Sequence, residues 1–278
     1  MYGVVTRNAE ELEWPEFDVA LYEVKGVSGQ HVDPVPGARN AVACFGDTAT
    51  VGTDPELAPV DGDGRRATKD HPDFDWGYVC PSAESYRKGL LEVVEACVRA
   101  SDDVHLDEVR FPDADFCRCE RCEAAYRDSE HDDWREWRAA QLTDFVADVR
   151  ERVPGTLSLS VHPDPYPGHL DRRSGIDLER LAPLVDEFVV PLYDTTYETT
   201  YWLESLASGF ADRLDEVGDV RLGVELYAAD PAVDALADAA ELADAYADDV
   251  FFGYHAGNAR AVLRRWDAEA REGVEWGA

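Results

Sequence analysis

The chain has 278 residues, the size at which one large core can be buried, and no composition shift or flexible linker divides it, so a single domain over residues 1–278 is expected. Acids outnumber bases 59 to 26, giving a formal charge of −33, and they are spread along the chain rather than gathered in a tail. A surface of that sign repels phosphates, which sets aside nucleic acid and anionic membranes as partners.

Eight short β-branched or aromatic runs can be picked out: Tyr2–Thr6, Val19–Val24, Ala41–Phe45, Val104–Phe111, Leu157–His162, Phe188–Tyr193, Val220–Tyr227 and Val250–His255. Most are followed by apolar residues at helical spacing. Tyr86, Leu90, Val93, Val94 and Cys97 mark one helix; Trp134, Trp137, Phe145, Val146 and Val149 a second; Trp202, Leu206, Phe210 and Leu214 a third; Val262, Leu263 and Trp266 the last. Asp230-Pro231 reads as the N-cap and first residue of another. Strands alternating with helices imply parallel pairing through right-handed crossovers, and eight such units predict a (β/α)8 TIM barrel. Residues 25–39 carry Gly26, Gly29, Pro34, Pro36 and Gly37, so the second crossover helix is expected to be missing. Residues 46–75 form a long acidic stretch containing Asp61-Gly62-Asp63-Gly64, on the side where such barrels do chemistry.

No basic segment leads into an apolar run at the N-terminus, and no run of about 18 apolar residues occurs. Six cysteines in a chain this long do not make a disulfide scaffold. The expected location is therefore the cytoplasm. The dispersed acidity is that of a globular surface adapted to very high salt and resembles proteins of salt-loving archaea.

Three of the cysteines crowd into Cys117-x-Cys119-x2-Cys122. Zinc takes four soft or borderline ligands in a tetrahedron, so this segment supplies three and the fourth must come from elsewhere. Cys97 lies on the apolar face of a helix and Cys44 within a strand, which reads as two buried thiols. Cys80, just ahead of a helix, is the best remaining ligand. Four thiolates leave no open position, so a zinc held by Cys80, Cys117, Cys119 and Cys122 would be structural.

In a barrel, side chains at the C-terminal ends of the strands face the site. Those ends carry Asp47, Asp107, Glu108, Arg110, His162, Asp164, Tyr193, Asp194, Glu225, Tyr227 and His255. Buried charges are costly unless paired or used, so this set marks a site. Glycoside hydrolysis needs two carboxyls flanking one bond. The fourth run offers Asp107 or Glu108, and the seventh offers Glu225, with Asp194 in reserve. Strand alternation sends Asp107 and Glu108 to opposite faces, and the apolar Leu106 favours Asp107 pointing inward. Arg110 would hold a neighbouring carboxylate ionised. His162, Tyr193, Asp194, Tyr227 and His255 would bind sugar, and Trp76 and Tyr166 lie near loops where they could stack on sugar faces.

Cys80-Pro-Ser-Ala-Glu-Ser-Tyr-Arg, a helix, a strand ending in acids, then Cys117-x-Cys-x2-Cys with Tyr126 after it, resembles the family 42 β-galactosidases over residues 76–130. In that family the two cysteine segments hold a structural zinc, the acid/base stands at the end of strand four, and the nucleophile stands at the end of strand seven. The resemblance therefore implies a retaining glycosidase. By distance from the cysteines Glu108 falls at the family's acid/base glutamate, although Asp107 stands where the family has asparagine. Leu106-Asp-Glu-Val-Arg-Phe-Pro112 separately resembles a Leu-Asp-Tyr-x-Arg-Tyr-Pro strand of glycoside-hydrolase-like barrels, and that places an Asp at Asp107.

The expected function is hydrolysis of an O-glycosidic bond in a carbohydrate. Two alternatives stand beside it. One is a barrel that binds sugar without cleaving it. The other is a metal-dependent hydrolase using Asp107, His162, Asp194 and His255. No Walker A motif, dinucleotide fingerprint or Gly-x-Ser-x-Gly elbow is present.

Overall fold

The computed structural model describes residues 1–275. Eight parallel strands, β1 (Tyr2–Thr6), β2 (Val19–Lys25), β3 (Arg39–Ala43), β4 (Val104–Asp107), β5 (Leu157–Ser160), β6 (Glu187–Pro191), β7 (Arg221–Tyr227) and β8 (Asp249–Gly253), pair in sequence order. β8 returns to β1 and closes the barrel. Nine α-helices are described: α1 (Thr48–Thr53), α2 (Glu84–Ala100), α3 (Glu120–Arg127), α4 (Trp134–Arg150), α5 (His169–Ser174), α6 (Leu178–Leu181), α7 (Tyr201–Val217), α8 (Val233–Asp244) and α9 (Ala256–Glu275).

Among the described residues no helix lies between β2 and β3, as the glycines and prolines of 25–39 require. The first crossover is also reduced, to a 3-10 turn at Ala9–Glu13. The helix after β7 begins at Val233 with Ala232 as its N-cap, two residues later than Asp230-Pro231 suggests. Asp230 instead accepts a hydrogen bond from the Tyr227 hydroxyl, 2.9 Å.

Two apolar layers follow from strand alternation. Outward residues such as Leu106, Leu159, Val190, Val224 and Phe252 pack beneath the helices in the main core, with Trp137, Phe145 and Phe210. Inward residues Leu21, Val189 and Phe251, with Val5 and Val19 against them, plug the barrel interior. Below the plug lies an ionic layer in which the buried Arg39, Glu187 and Asp249 meet the part-exposed Arg221. Above it the interior becomes polar and opens. Several strands stop short of the expected runs, at Asp107, Ser160, Pro191 and Gly253, and the residues just beyond them turn into the loops of that open end. None of the described helices is long and apolar enough to cross a membrane.

Candidate active site

The open end of the barrel holds a cavity of about 960 Å3. Asp107 on β4 and Glu225 on β7 both line it. Glu225 is 7 % exposed, and its carboxylate occupies the space that a Cβ at Gly253 would fill, so the glycine on β8 makes room for the acid. Asp107 borders the cavity but lies deep in it. Burial pushes Asp107 up to about 7, and the nearby charge of Glu108 adds to this. Burial pushes Glu225 up to about 8; a hydrogen bond from Tyr193 opposes the rise, and the charges of Asp107 and Glu23 reinforce it. Among the described residues no lysine, arginine or histidine forms an ion pair with either acid.

Glu108 also faces the cavity. Alternation would have turned it away, but β4 ends at Asp107 and Glu108 adopts the left-handed backbone region, φ 52°. Its amide donates to Asp107 Oδ1 at 2.8 Å. Its carboxylate accepts from Arg110 Nε at 2.8 Å and from Nη2 at 3.4 Å. Arg110 in turn lies over the Tyr78 ring, 5.0 Å from its centre, and donates to the Tyr78 hydroxyl. Arg110 thus serves Glu108, not Glu225.

His162 lines the cavity with Nε2 unpartnered, and burial holds it down to about 3, so it is a neutral imidazole. Trp76 lines it too, with Nε1 likewise unpartnered. Tyr193 stands at the rim, 42 % exposed, with its phenol toward Glu225. His255 is at the rim but its Nδ1 accepts the Asn258 amide at 3.0 Å, near the start of α9. Other expected residues fall elsewhere. Asp194 does not line the cavity; it accepts from the Thr196 and Tyr197 amides at 2.8 and 3.3 Å and closes a turn. Tyr227 is also outside the lining, although its ring is 6.2 Å from Tyr193. Asp47 caps α1 and pairs with Lys25 at 3.2 Å, so it is structural. Asp164 and Tyr166 border a separate small depression.

Glu23, Arg7, Tyr254 and His105 are cavity residues the strand-end reading passed over. Glu23 had a signal: Leu21, Glu23 and Lys25 alternate on β2 with a single inward phase. It is bound by Arg7 through two bonds, 2.7 and 2.6 Å. His105 lies deeper, 2.9 Å from Ser158 Oγ and 3.0 Å from Ser160 Oγ, held neutral by burial. Each base in the lining is thus already matched: Arg7 with Glu23, Lys25 with Asp47, Arg110 with Glu108.

Cys80, Cys117, Cys119 and Cys122 converge, their sulfurs all within 4.8 Å of one another. Cys80 is 3.3 Å from Cys122 and 3.9 Å from Cys119, close to the spacing of about 3.8 Å that four metal–sulfur bonds of 2.3 Å require. The Val60 and Cys119 amides point at Cys117 Sγ, 3.3 and 3.5 Å, as donors to a thiolate would. The donor set fits a closed metal site. Cys44 and Cys97 are separate buried thiols. Among the described residues this is the one cluster of three or more such ligands, so Asp107, His162, Asp194 and His255 do not gather around a common point. The metal-dependent hydrolase is thereby set aside.

No protein-family model matches the sequence, and no curated protein matches it. Among solved structures, the chain is similar to the PgaB (BpsB) glycoside hydrolase domain from Bordetella bronchiseptica, with a TM-score of 0.62 and 13 % identity over 81 % of this chain and 75 % of that one. It is also similar to α-L-fucosidase isoenzyme 2 from Paenibacillus thiaminolyticus, with a TM-score of 0.65 and 14 % identity. That match covers 96 % of this chain and 46 % of the fucosidase chain, so this chain spans less than half of that relative. Identities this low make the likeness one of fold: a closed eight-stranded parallel barrel of the kind these glycoside hydrolases have.

Proposed function

We propose that this barrel is a retaining glycoside hydrolase whose catalytic pair is Asp107 and Glu225. One observation carries the reading: Asp107 on β4, partly buried, and Glu225 on β7, buried, have no ion-pair partner among the described residues, open on the same cavity and are both raised towards neutral pH. Because they interact, the proton belongs to the pair. Between about 7 and 8 the pair holds one proton and one charge, the state that acid-plus-nucleophile chemistry needs. The family that residues 76–130 resemble has its acid/base on strand four and its nucleophile on strand seven, and on that ground Asp107 is the acid/base and Glu225 the nucleophile; the hydrogen bond from the Tyr193 phenol opposes the rise at Glu225. Asp107 gives its proton to the glycosidic oxygen as the C–O bond breaks, and Glu225 attacks the anomeric carbon from the other face. Water, deprotonated by Asp107, then cleaves the glycosyl ester and frees Glu225. Glu108, paired with Arg110, lies beside Asp107, and its charge helps raise Asp107 and so favours the protonated form of that acid.

The substrate is a carbohydrate, and the structure offers Trp76, His162, Tyr193 and Tyr254 to bind it. The four cysteines hold structural zinc, which when bound ties the segment before α2 to the segment after β4. A cytoplasmic location is part of the same reading, since six cysteines in 278 residues do not make a disulfide scaffold. The whole chain acts as one barrel domain adapted to high salt.

The test is turnover of a panel of aryl glycosides in molar KCl by the wild type, Asp107→Asn and Glu225→Gln, with proton NMR of the first-formed anomer. Retention of configuration and loss of turnover in both variants are expected. An inverted first product would remove the nucleophile role, and full activity in either variant would remove that residue from the pair.

A further inference from the structure

We infer that the substrate is a linear, non-anionic glycan that lies across the barrel mouth and is cut at an internal bond, stacking on Tyr193 and Tyr254 on one side of that bond and on Trp76 on the other. This rests on the hydrolase reading and adds the substrate's shape. The cavity, about 960 Å3, is at the upper end of the range for small-molecule sites and far exceeds one pyranose ring.

Two walls of the mouth carry aromatic rings. After β6 and β8, Tyr193 and Tyr254 are 42 % and 67 % exposed, with ring centres 5.6 Å apart and planes at 86°. Tyr227 backs Tyr254 at 5.1 Å. Tyr254 is held at φ 72°, a conformation that costs a non-glycine residue energy and that presents its ring to the opening. Exposed rings of this kind serve ligands more readily than packing. Across the mouth, Trp76 in the β3–β4 connection has an indole N–H with no partner. Both Trp76 and Glu108 lie against Gly46, which places Trp76 beside the β4 end.

The closed strand order makes these walls opposite, since β3 and β4 face β7 and β8 across the barrel. Asp107 on β4 and Glu225 on β7 therefore lie between them. A chain resting on both walls passes over the catalytic pair with sugars on each side, which is the geometry of internal cleavage. An acidic glycan is disfavoured because every base in the lining is already matched to a carboxylate.

Calorimetric titration of the Glu225→Gln protein tests this. The probes are linear oligomers of glucose, mannose, galactose, xylose and N-acetylglucosamine, one to six units long, and oligogalacturonate. At least one neutral series should bind, with affinity rising beyond two units, and oligogalacturonate should not. Tyr254→Ala and Trp76→Ala should each weaken hexamer binding roughly tenfold and dimer binding less, about the effect of one aromatic contact. Tyr254→Phe and Trp76→Phe should restore most of it, which separates stacking from misfolding. The wild type should release fragments of two to four units from the bound hexamer first. Affinity independent of length, release of single sugars from one end, no binding by any neutral series, or preference for oligogalacturonate would each overturn the inference. If aryl monoglycosides turn over without length dependence, the hydrolase stands and the internal-cleavage reading falls. If long oligomers bind and none is cut, the hydrolase reading falls and the glycan-binding cleft stands.

Discussion

Both ends of this barrel bury acids, and they treat them oppositely. At the bottom, Glu187 is fully buried against Arg39 and lies 3.2 Å from Arg221, which also holds Asp249. Burial pushes Glu187 up to about 7, while Arg39 pulls it back. At the top, among the described residues, Asp107 and Glu225 form no ion pair, and both line the open cavity. A buried carboxyl met by guanidinium is committed to the fold, because removing either partner strands a charge. A buried carboxyl left without a cation is available for chemistry, and the fold bears the cost of holding it.

Replacing Glu225 by Gln should break the top end as a catalyst while strengthening it as a structure. Turnover should fall by about three to four orders of magnitude, as loss of a nucleophilic carboxylate would cause. Stability should move the other way, with a sign that can be worked out. Glu225 titrates near 4.5 when unfolded and near 8 when folded, so the folded state binds the proton more tightly. The wild type therefore loses stability as pH rises from about 4 to 8, by about 3–5 kcal/mol at one displaced acid. The Gln variant should be more stable than wild type at pH 9 and equal to it at pH 4 in urea unfolding. Equal stability at both pH values would show that Glu225 is not held neutral.

At the bottom the same kind of change should do the reverse. Arg39→Met leaves Glu187 without its main partner and should cost about 3–5 kcal/mol in urea unfolding at neutral pH. The residual kcat/KM of folded protein should change far less than in Glu225→Gln. A large loss of turnover with little loss of stability would erase the contrast between the two ends.

A smaller effect concerns the pH profile. kcat/KM should be bell-shaped, rising as the pair loses its first proton near 7 and falling as it loses the second near 8. Glu108→Gln removes the charge that helps raise Asp107, the proton donor, so the alkaline limb should shift to lower pH. A limb that does not move would detach Glu108 from the pair.

Removing metal tests how the top end is held. Tyr78, two residues before Cys80, bonds Arg110, and Arg110 clamps Glu108. Chelation should release zinc, lower Tm by several degrees and weaken activity without abolishing it, measured by metal analysis and calorimetry. Finally, screening should relieve the self-repulsion of −33 charges, so Tm should rise with KCl up to molar concentration. A flat Tm would contradict the salt-adapted surface.

Much of this was legible in residues alone. The alternation of apolar runs and helical stripes, eight times over, leaves a closed parallel barrel as the consistent solution, and the barrel appears with all eight strands. The spacing of Cys117, Cys119 and Cys122 demanded a fourth thiol, and Cys80 is there, because tetrahedral ligation leaves little freedom. Strand period and the apolar Leu106 turned Asp107 inward. The tertiary structure decided the rest. Only the backbone turn at Glu108 shows that it, too, faces the cavity and takes Arg110 for itself. Only the packed loops show Asp194 spent on a turn and Asp47 on Lys25, while Glu23 and Tyr254 reach the mouth. Periodicity in sequence reports which face of an element is wet or dry. Which buried acid meets a cation and which is left without one depends on residues far apart in the chain, and folding alone brings those together.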